Sequence, residues 1–442
     1  MASTQGYVGF GSFFVERSVE DMVSDDTYEP PPPQIQPEDD PLAAADTELG
    51  VVCRQLFLID FENWTFINHG AFGGVCRPAY AEAAAWREHC ERQPLLFLDR
   101  QLFPQMVRVM REIASFMHAR PQDLVFLPNA TTGLNVAIQS AQLQPGDALY
   151  MLNIGYGSVK KMAAAASSQA EVVYGDVSFP ISGPDEIVRL VERTMPSNTK
   201  MAVFDAVTSN TALVLPIQQL VQLCKSRGIL VLVDAAHALG QLEVNLGSLD
   251  ADFYVTNCHK WLAGPRGSAV FWAHPRVQHT VRPLVVSHGS GHGFTSDFIW
   301  DGCRDYAPYL GVSAALRMWQ QLGPERCRTY MHNLVCQAAN LLASAWRTTT
   351  LAPLHMCASM ALVELPFKQA AAGAELQDPG EPANSTNAKH VQEVLHQNFR
   401  IECPVKCIQG CLYVRISACI YNTLHDYEKL MEAIFKIGGR AS

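Results

Sequence analysis

The chain has 442 residues, of which 48% are hydrophobic and 17% are charged, and its formal net charge is −10. This composition is typical of a globular protein that has a large core and more than one domain. No apolar run reaches the length that spans a bilayer, and the residues at the start of the printed sequence lead us to expect neither a secretory signal nor a basic transit peptide. We therefore expect no membrane partner.

The net charge is concentrated in residues 1–50, which hold eleven acidic residues and Arg17 as the only basic one. Residues 51–442 are formally neutral, which argues against nucleic-acid binding as the main function. The N-terminal segment also contains the run "EPPPPQIQP", which cannot join a helix or a central strand. We predict a mostly disordered acidic tail over 1–50, with the apolar stretch "YVGFGSFFV" as the part suited to docking on the body or on a partner.

Short apolar strands alternate with helical segments through the middle of the chain. The predicted strands are 123–129, 147–153, 171–177, 200–207, 228–237, 251–257 and 267–272. Helical spacing between them includes 184–195 and 216–227. This alternation predicts an α/β fold with a mostly parallel sheet that is covered by helices on both faces.

Beyond residue 300 the pattern changes to long helices over about 309–321 and 326–346, followed by the strands "SMALVELP" and "CLYVRIS". Such an order predicts a smaller α+β domain at the C-terminus. The insert "AAAGAELQDPGEPANSTNA" between these strands is predicted to be a surface loop. The expected parts of the chain are a tail (1–50), a segment that packs on both domains (51–105), a large domain (106–305) and a small domain (306–442).

Polar side chains follow three of the predicted strands, at the edge where open α/β sheets bind ligands. Thr131 and Thr132 begin a helix, where amides and hydroxyls suit a phosphate, although ordinary helix capping is the alternative. Asp234 and His237 follow "ILVLV", and Lys260 follows "ADFYVTN". An anion site, an acid, an imidazole and an amine are thus predicted to converge at one edge of the sheet.

Pyridoxal 5′-phosphate (PLP) is the cofactor whose chemistry requires this set of residues. A lysine forms a Schiff base with its aldehyde and then transfers protons. A carboxylate keeps the pyridine nitrogen protonated, so that the ring accepts the electrons of a carbanion. We therefore predict that Lys260 is the Schiff-base lysine and that Asp234 is the partner of the ring nitrogen.

The stretch "VDAAHALGQLEVNLGSLDADFYVTNCHKWLAGPRGSAVFW" resembles the class V aminotransferase family of fold-type I PLP enzymes. The spacing of Asp-x-x-His and the later His-Lys-Trp carries the resemblance, which extends from "FINHGAFGG" to "YVRISACIYN". The branch that it resembles contains isopenicillin N epimerase-like proteins, cysteine desulfhydrase-like proteins and other C–S lyases. The resemblance implies a PLP-binding large domain and a smaller C-terminal domain.

The resemblance also implies roles for single residues that contact the cofactor. His237 would bond the phenolic oxygen of the ring, and Thr131 and Thr132 would hold the phosphate with His259 nearby. Tyr156 would stack on the ring, with a core tyrosine as the alternative. Ser209 falls where the family places a polar cofactor contact, although Asn210 replaces the commoner proline after it.

The substrate side is implied in the same way. Arg415 would bind the carboxylate of an amino-acid substrate in a bidentate manner, with a surface arginine at a strand edge as the alternative. Asn68 and His69 lie where the N-terminal segment of the family closes over the substrate.

The segment "DGCRD" (301–305) implies a homodimer with shared active sites. In the family this segment reaches the cofactor phosphate of the neighbouring subunit. Cys303 stands where relatives carry a threonine, so one hydroxyl contact is missing there, and Gly302 and Arg304 remain.

The thirteen cysteines are an odd number, and there is no CxxC motif, so we interpret them as reduced thiols of a cytoplasmic protein. The cluster Cys403, Cys407 and Cys411 lacks the spacing of zinc ligands and is better explained by buried strand positions. A desulfurase would need a thiol on a mobile loop, whereas Cys357 and Cys403 border predicted strands.

The reaction is not determined by these residues, because elimination, transamination and epimerisation all use the same lysine. We predict a C–S lyase or cysteine desulfhydrase-like activity, with an aminotransferase or epimerase as the alternative. A catalytically idle scaffold is disfavoured by the intact Asp234, His237 and Lys260. A nicotinamide-dependent dehydrogenase is excluded because no GxGxxG motif follows an early strand.

Overall fold

The computed structural model describes residues 10, 13–14, 17–36, 42–166, 170–367 and 382–438. The N-terminal part is helical apart from one short strand. Its elements are α1 (Val19–Ser24), β1 (Thr65–Phe66), α2 (His69–Phe72), α3 (Arg77–Arg92), α4 (Pro94–Leu96) and α5 (Leu102–Phe116).

The central part of the chain forms one seven-stranded sheet. Its elements are β2 (Leu124–Leu127), α6 (Ala130–Ser140), β3 (Asp147–Leu152), α7 (Gly157–Ala166), β4 (Ala170–Gly175), α8 (Pro184–Thr194), β5 (Thr199–Asp205), α9 (Ile217–Ser226), β6 (Leu230–Asp234), α10 (Leu246–Leu249), β7 (Phe253–Asn257) and β8 (Ala269–Ala273). The strand order is β2-β8-β7-β6-β5-β3-β4. The five strands from β7 to β4 in this order are parallel, and β8 runs antiparallel to both of its neighbours.

The alternation of side chains along each strand explains why helices cover both faces of the sheet. On β6, Val231 and Val233 face a core that includes α5 and α9, whereas Leu232 faces a core that includes α6 and α7. A strand that is buried on both faces is apolar throughout, as "LVLV" is here. Each such side chain contributes about 1.5–3 kcal/mol when it is fully buried.

The C-terminal part is built from long helices and a small antiparallel sheet. Its elements are α11 (Pro275–Gln278), α12 (Phe294–Ile299), α13 (Ala307–Leu310), α14 (Val312–Leu322), α15 (Pro324–Trp346), β9 (Met360–Glu364), α16 (Ser385–Phe399), β10 (Ile401–Glu402), β11 (Val405–Ile408), β12 (Cys411–Ser417) and α17 (Leu424–Ile437). The small sheet has the order β11-β12-β9, and β1 pairs with β10 in parallel.

The predicted surface loop over residues 370–388 ends earlier than expected. Residues 370–381 of it lie outside the described residues. Its polar end "NSTN" starts α16, because Asn384 caps the helix and Asn387 bonds back to the Asn384 backbone in a capping box. The loop prediction was therefore wrong at its C-terminal end.

The described part of the N-terminal tail also departs from the prediction of disorder. Arg111 on α5 donates hydrogen bonds to the backbone carbonyls of Met22, Asp25 and Tyr28 at 2.7–2.8 Å. Phe10 is fully buried, which agrees with docking of the apolar start on the body. Residues 17–36 are thus an attached segment rather than a free tail.

Across the stretches that the structure describes, no helix combines the length and the apolar character required to cross a bilayer. The domain boundaries expected from the sequence stay a prediction.

Candidate active site

A cavity of about 180 Å³ opens at the carboxyl ends of β5, β6 and β7. This is the edge of the sheet at which the ligand site was predicted from the sequence. Seven of the predicted site residues line the cavity: Thr131, Tyr156, Ser209, Asp234, His237, His259 and Lys260.

Lys260 follows β7, and its amine is enclosed by the cavity walls. Its Nζ lies 3.0 Å from Nε2 of His237. Burial lowers the pKa of Lys260 to about 8, and the charge of Asp234 acts in the opposite direction. An appreciable fraction of the amine is therefore neutral near physiological pH, as a nucleophilic lysine requires.

His237 is held in one tautomer by its neighbours. Trp261 Nε1 is a donor only, and it lies 3.3 Å from His237 Nδ1, which must therefore accept. Burial, followed by the charge of Lys260, holds the pKa of His237 well below its usual value. In the neutral ring Nε2 then carries the proton and donates toward the lone pair of Lys260, so this geometry selects the neutral amine.

Asp234 ends β6 and is buried, as a partner for a ring nitrogen should be. Its Oδ1 accepts the backbone N–H of Ala236 at 3.0 Å, which turns the chain out of the strand. The predicted strand over 228–237 was too long at this end for that reason. Burial raises the pKa of Asp234, whereas the Ala236 N–H and the charge of Lys260 act against the shift.

Asp205 is a further carboxyl group in the cavity, and the sequence analysis did not identify it. It ends β5 and pairs in register with Asp234 on β6. Burial, followed by the negative charge of Asp234, raises the pKa of Asp205 well above its usual value. The predicted strand over 200–207 hid this residue, because it placed Asp205 inside the strand instead of at its end.

The start of α6 forms one wall of the cavity. Thr131 lines the wall, whereas Thr132 donates its hydroxyl hydrogen to Asn129 Oδ1 at 3.1 Å and lies outside the lining. Asn129 also accepts the N–H of Thr132, and Asn257 accepts the N–H of Ala130. The N-cap of α6 is thus Asn129 and not a threonine, so the capping alternative is wrong as it was stated. Asn129 and Asn257 are site residues that the sequence analysis missed.

Arg415 lies on β12 of the small sheet and is buried, so the alternative of a surface arginine is wrong. It donates to the backbone oxygen of Ser209 and, at 3.1 Å, to Oδ1 of Asn68. Its Nε is buried and has no hydrogen-bond partner in the described part of the chain. Burial lowers the pKa of Arg415 to about 10.

His69 lies behind Lys260 and not at the substrate side. Its Nδ1 is 2.8 Å from the hydroxyl of Tyr421, and its Nε2 is 3.0 Å from the backbone oxygen of Lys260. Both ring nitrogens are therefore engaged within the chain. This placement departs from the predicted substrate contact, whereas Asn68 reaches Arg415 as described above.

Tyr156 and His259 occupy opposite kinds of environment in the lining. Tyr156 precedes α7 and is 43% exposed, so a core tyrosine is excluded. Its backbone N–H is accepted by Asp205. His259 is largely enclosed, with Nδ1 3.3 Å from the oxygen of Ser268, and burial lowers its pKa to about 4.

Gly302 and Arg304 lie outside the cavity lining. Arg304 pairs with Asp301 at 2.6 Å and packs against the rings of Tyr306 and Tyr309. The carbonyl of Gly302 accepts the hydroxyl of Tyr306 at 2.7 Å. The predicted contact of this segment with a second subunit stays a prediction.

The residues of the cavity fit PLP. An enclosed amine, a buried carboxyl group, a helix start with Thr131 and the exposed ring of Tyr156 surround one space. The guanidinium of Arg415, whose Nε has no hydrogen-bond partner among the described residues, donates to the backbone of Ser209 in its wall. These groups match the aldehyde, the ring nitrogen, the phosphate and the ring face of the cofactor, and the carboxylate of an amino acid.

Comparisons with known proteins agree with this fit. The family model described as "Aminotransferase class-V" matches residues 98–430. A putative L-cysteine desulfhydrase of Oryza sativa subsp. japonica is 30% identical over 413 residues, with 84% of this chain and 82% of the relative covered. An isopenicillin N epimerase of Amycolatopsis lactamdurans is 28% identical, with 84% and 94% covered.

A solved structure shares the fold at lower identity. It is a complex between a cystine C–S lyase and its reaction product cysteine persulfide, with a TM-score of 0.72 and 18% identity. The match covers 85% of this chain and 98% of that chain. The fold and the family resemblance that were predicted from the sequence are both confirmed.

Proposed function

The chain belongs to the class V aminotransferase family, and from this membership we propose that it is a C–S lyase of the cysteine desulfhydrase type. PLP, the cofactor predicted from the sequence, is confirmed for this family member. The observation that carries the proposal is the buried Lys260 amine, 3.0 Å from His237 and beside the carboxyl group of Asp234.

PLP supplies an aldehyde that captures amines and a ring that withdraws electrons from the carbon next to them. The residues of this chain would hold and orient it. Lys260 provides the amine and then holds or moves a proton at Nζ. Asp234 provides the negative charge that faces the ring nitrogen, and His237 keeps the lysine amine neutral and oriented.

The remaining predicted residues have roles that the cavity supports. Thr131, with Thr132 and His259 nearby, would hold the phosphate, and Tyr156 would cover the ring. Ser209 would position Arg415 through its backbone oxygen, so that the guanidinium binds the substrate carboxylate.

Elimination of sulfur is favoured over the alternatives by the names of the relatives. Four relatives at 29–30% identity are named L-cysteine desulfhydrases, with qualifiers such as putative or probable. An epimerase is the second candidate, because two isopenicillin N epimerases match at 26–28% identity. A desulfurase thiol is not supported at Cys357 or Cys403, because burial raises the pKa of each to about 12.

Incubation of the PLP-loaded protein with single amino acids tests the proposal. L-Cysteine should give sulfide, pyruvate and ammonia in equal amounts, and Lys260→Ala should give none. A keto acid that retains the sulfur would indicate transamination, and D-cysteine without sulfide would indicate epimerisation. Either outcome overturns the lyase assignment while leaving the cofactor assignment intact.

We also propose that the protein is a cytoplasmic homodimer. None of the thirteen cysteines, all of which lie among the described residues, forms a disulfide, which suits a reducing compartment. The exposed Cys303 and its neighbours form a surface turn that is available to a second copy.

A further inference from the structure

Asn68 and His69 connect the two functional ends of the site through one peptide bond. His69 contacts the backbone of Lys260, and Asn68 contacts the guanidinium of Arg415 at 3.1 Å. Lys260 follows β7 of the large sheet, and Arg415 lies on β12 of the small sheet.

The hydrogen bonds of His69 have a fixed direction. The oxygen of Lys260 can only accept, so Nε2 must carry the proton, and Nδ1 must accept from the hydroxyl of Tyr421. Burial lowers the pKa of His69 to about 4, so the ring stays neutral at physiological pH. The chain of donors therefore runs from Tyr421 through His69 to the Lys260 carbonyl.

The segment around His69 is packed tightly against the lysine. A Cβ added to Gly73 would lie 2.1 Å from the oxygen of His259 and 2.8 Å from Cα of Lys260. At Gly70 it would lie 2.4 Å from the sulfur of Met360. The backbone of α2 and the residue after it therefore pack directly against the backbone at Lys260. A shift of α2 would move the lysine backbone with it.

Around the ring of His69, the titratable and charged groups are few. Tyr421 and Lys260 contact it, and Arg266 is the charged side chain that further lowers its pKa. Trp261 and Phe57 provide the apolar walls, with ring centroids 5.2 and 6.4 Å away. Within the described residues, His69 is outside the cavity lining, and its ring nitrogens contact only Tyr421 and the Lys260 carbonyl.

We propose that Asn68 and His69 are positioning residues that set the separation between the reactive amine and the carboxylate-binding arginine. His69 holds the main chain of Lys260, and Asn68 holds Arg415. This proposal rests on the proposed function, because it needs a cofactor at Lys260 and a substrate carboxylate at Arg415.

A series of substitutions at residue 69 isolates the bond to Lys260. His69→Gln keeps a donor near the position of Nε2, whereas His69→Phe keeps only the ring. We expect kcat to fall about tenfold or more in His69→Phe and to recover mostly in His69→Gln, as loss of one buried hydrogen bond predicts. In His69→Phe, the pH at which the visible absorbance of the bound cofactor is half changed should shift. The melting temperature is measured separately and reports on stability.

Substitution of Asn68 should affect the binding of the substrate more than the reactive amine. Asn68→Ala should raise KM for the amino acid about tenfold and change kcat less, because it acts on Arg415 and not on Lys260. The double variant Asn68→Ala/His69→Phe should lose less kcat/KM than the product of the two single losses. The reason is that both residues act through one peptide link. His425→Gln is the matched control, because its 68% exposed side chain pairs with Glu428 on the surface and, among the described residues, makes no hydrogen bond to Lys260 or Arg415.

Two results overturn the proposal. One is a His69→Gln variant that behaves like His69→Phe in kcat and absorbance. The other is a set of variants that lower only the melting temperature while kcat, KM and absorbance stay unchanged. Failure of the lyase assignment is distinguishable, because the absorbance and the borohydride-trapped cofactor adduct require bound PLP and no particular reaction.

Discussion

Lys260 illustrates how a single residue obtains its reactivity from burial. The unfolded chain would give its amine a pKa near 10.5, and the enclosed site lowers it to about 8. The unfolded state therefore binds the proton more readily between these two values. Burial of the lysine opposes folding below pH 8, and this opposition is lost as the pH rises to 10.5.

The lowered pKa of Lys260 predicts how the cofactor-free protein takes up PLP. Only the neutral amine attacks an aldehyde, so uptake should accelerate about tenfold per pH unit below pH 8 and level off above it. Stopped-flow absorbance from pH 6 to pH 9.5 measures this. Trp261→Phe removes the donor that fixes the His237 tautomer and should alter the midpoint. A rate that is independent of pH would contradict a titrating lysine.

The two neighbouring carboxyl groups predict unequal effects of the same substitution. Burial and the charge of Asp234 raise the pKa of Asp205 well above its usual value, so we expect Asp205 to hold a proton more readily than Asp234 does. Asp205→Asn should therefore keep kcat/KM within about threefold, whereas Asp234→Asn should lose about 100-fold or more. Sulfide release by folded, PLP-loaded variants is the measurement. Equal losses would mean that Asp205 acts as an anion.

Residue types and spacing were enough to predict that Asp234, His237 and Lys260 come together, because each lies at or just after the end of an apolar strand at the ligand edge. The contact of His69 was out of reach, since its partner Tyr421 is 352 residues away in the chain. Asp205 was missed for a local reason, because a strand end was placed two residues late.

At the scale of elements, Arg111 of α5 contributes to the attachment of the N-terminal segment around α1. Arg111→Ala removes three short hydrogen bonds to backbone carbonyls and should lower the free energy of unfolding by about 3 kcal/mol. Urea unfolding measures the loss. Arg227→Ala is the control, because this arginine makes one exposed bond to the oxygen of Glu192 and should cost less than about 1 kcal/mol. Equal costs would show that the Arg111 contacts do not hold the segment.

Elements of the large sheet were predictable because buried parallel strands are continuous apolar runs bounded by helices. Each of the seven predicted strands overlaps an observed one. The start of α16 could not be predicted, because "NSTN" has the composition of a loop. It acts as a helix cap only through the geometry of its side chains. The prediction of disorder for the N-terminal segment was wrong over residues 17–36 for a related reason. An acidic composition does not reveal the contacts that Arg111 makes with backbone carbonyls there.

At the scale of the whole molecule, the proposed homodimer makes each active site depend on two chains. Light scattering should give twice the 48.7 kDa of one chain. Mixing Lys260→Ala chains with Arg304→Ala chains should restore part of the activity, because a mixed dimer then contains one intact site. A monomer with full activity contradicts the shared site.

A mixture no more active than either parent would mean that Arg304 serves its own chain. The existing contacts of Arg304 with Asp301, Tyr306 and Tyr309 make that outcome chemically reasonable. Arg87→Ala is the control for the mixing experiment, because Arg87 forms an exposed pair with Asp305 of the same surface turn. It should change neither parent nor mixture.

The Arg111 contacts determine how ionic strength affects the N-terminal segment. Arg111 donates to main-chain oxygens that carry no net charge, so mobile ions screen these bonds little. The exposed pair of Arg17 with Asp25 is screened in the usual way. Concentrated salt should therefore weaken the mutual repulsion of the acidic residues in the N-terminal segment and leave the Arg111 contacts in place. A purification step at high salt would hold this segment more tightly on α5 instead of releasing it.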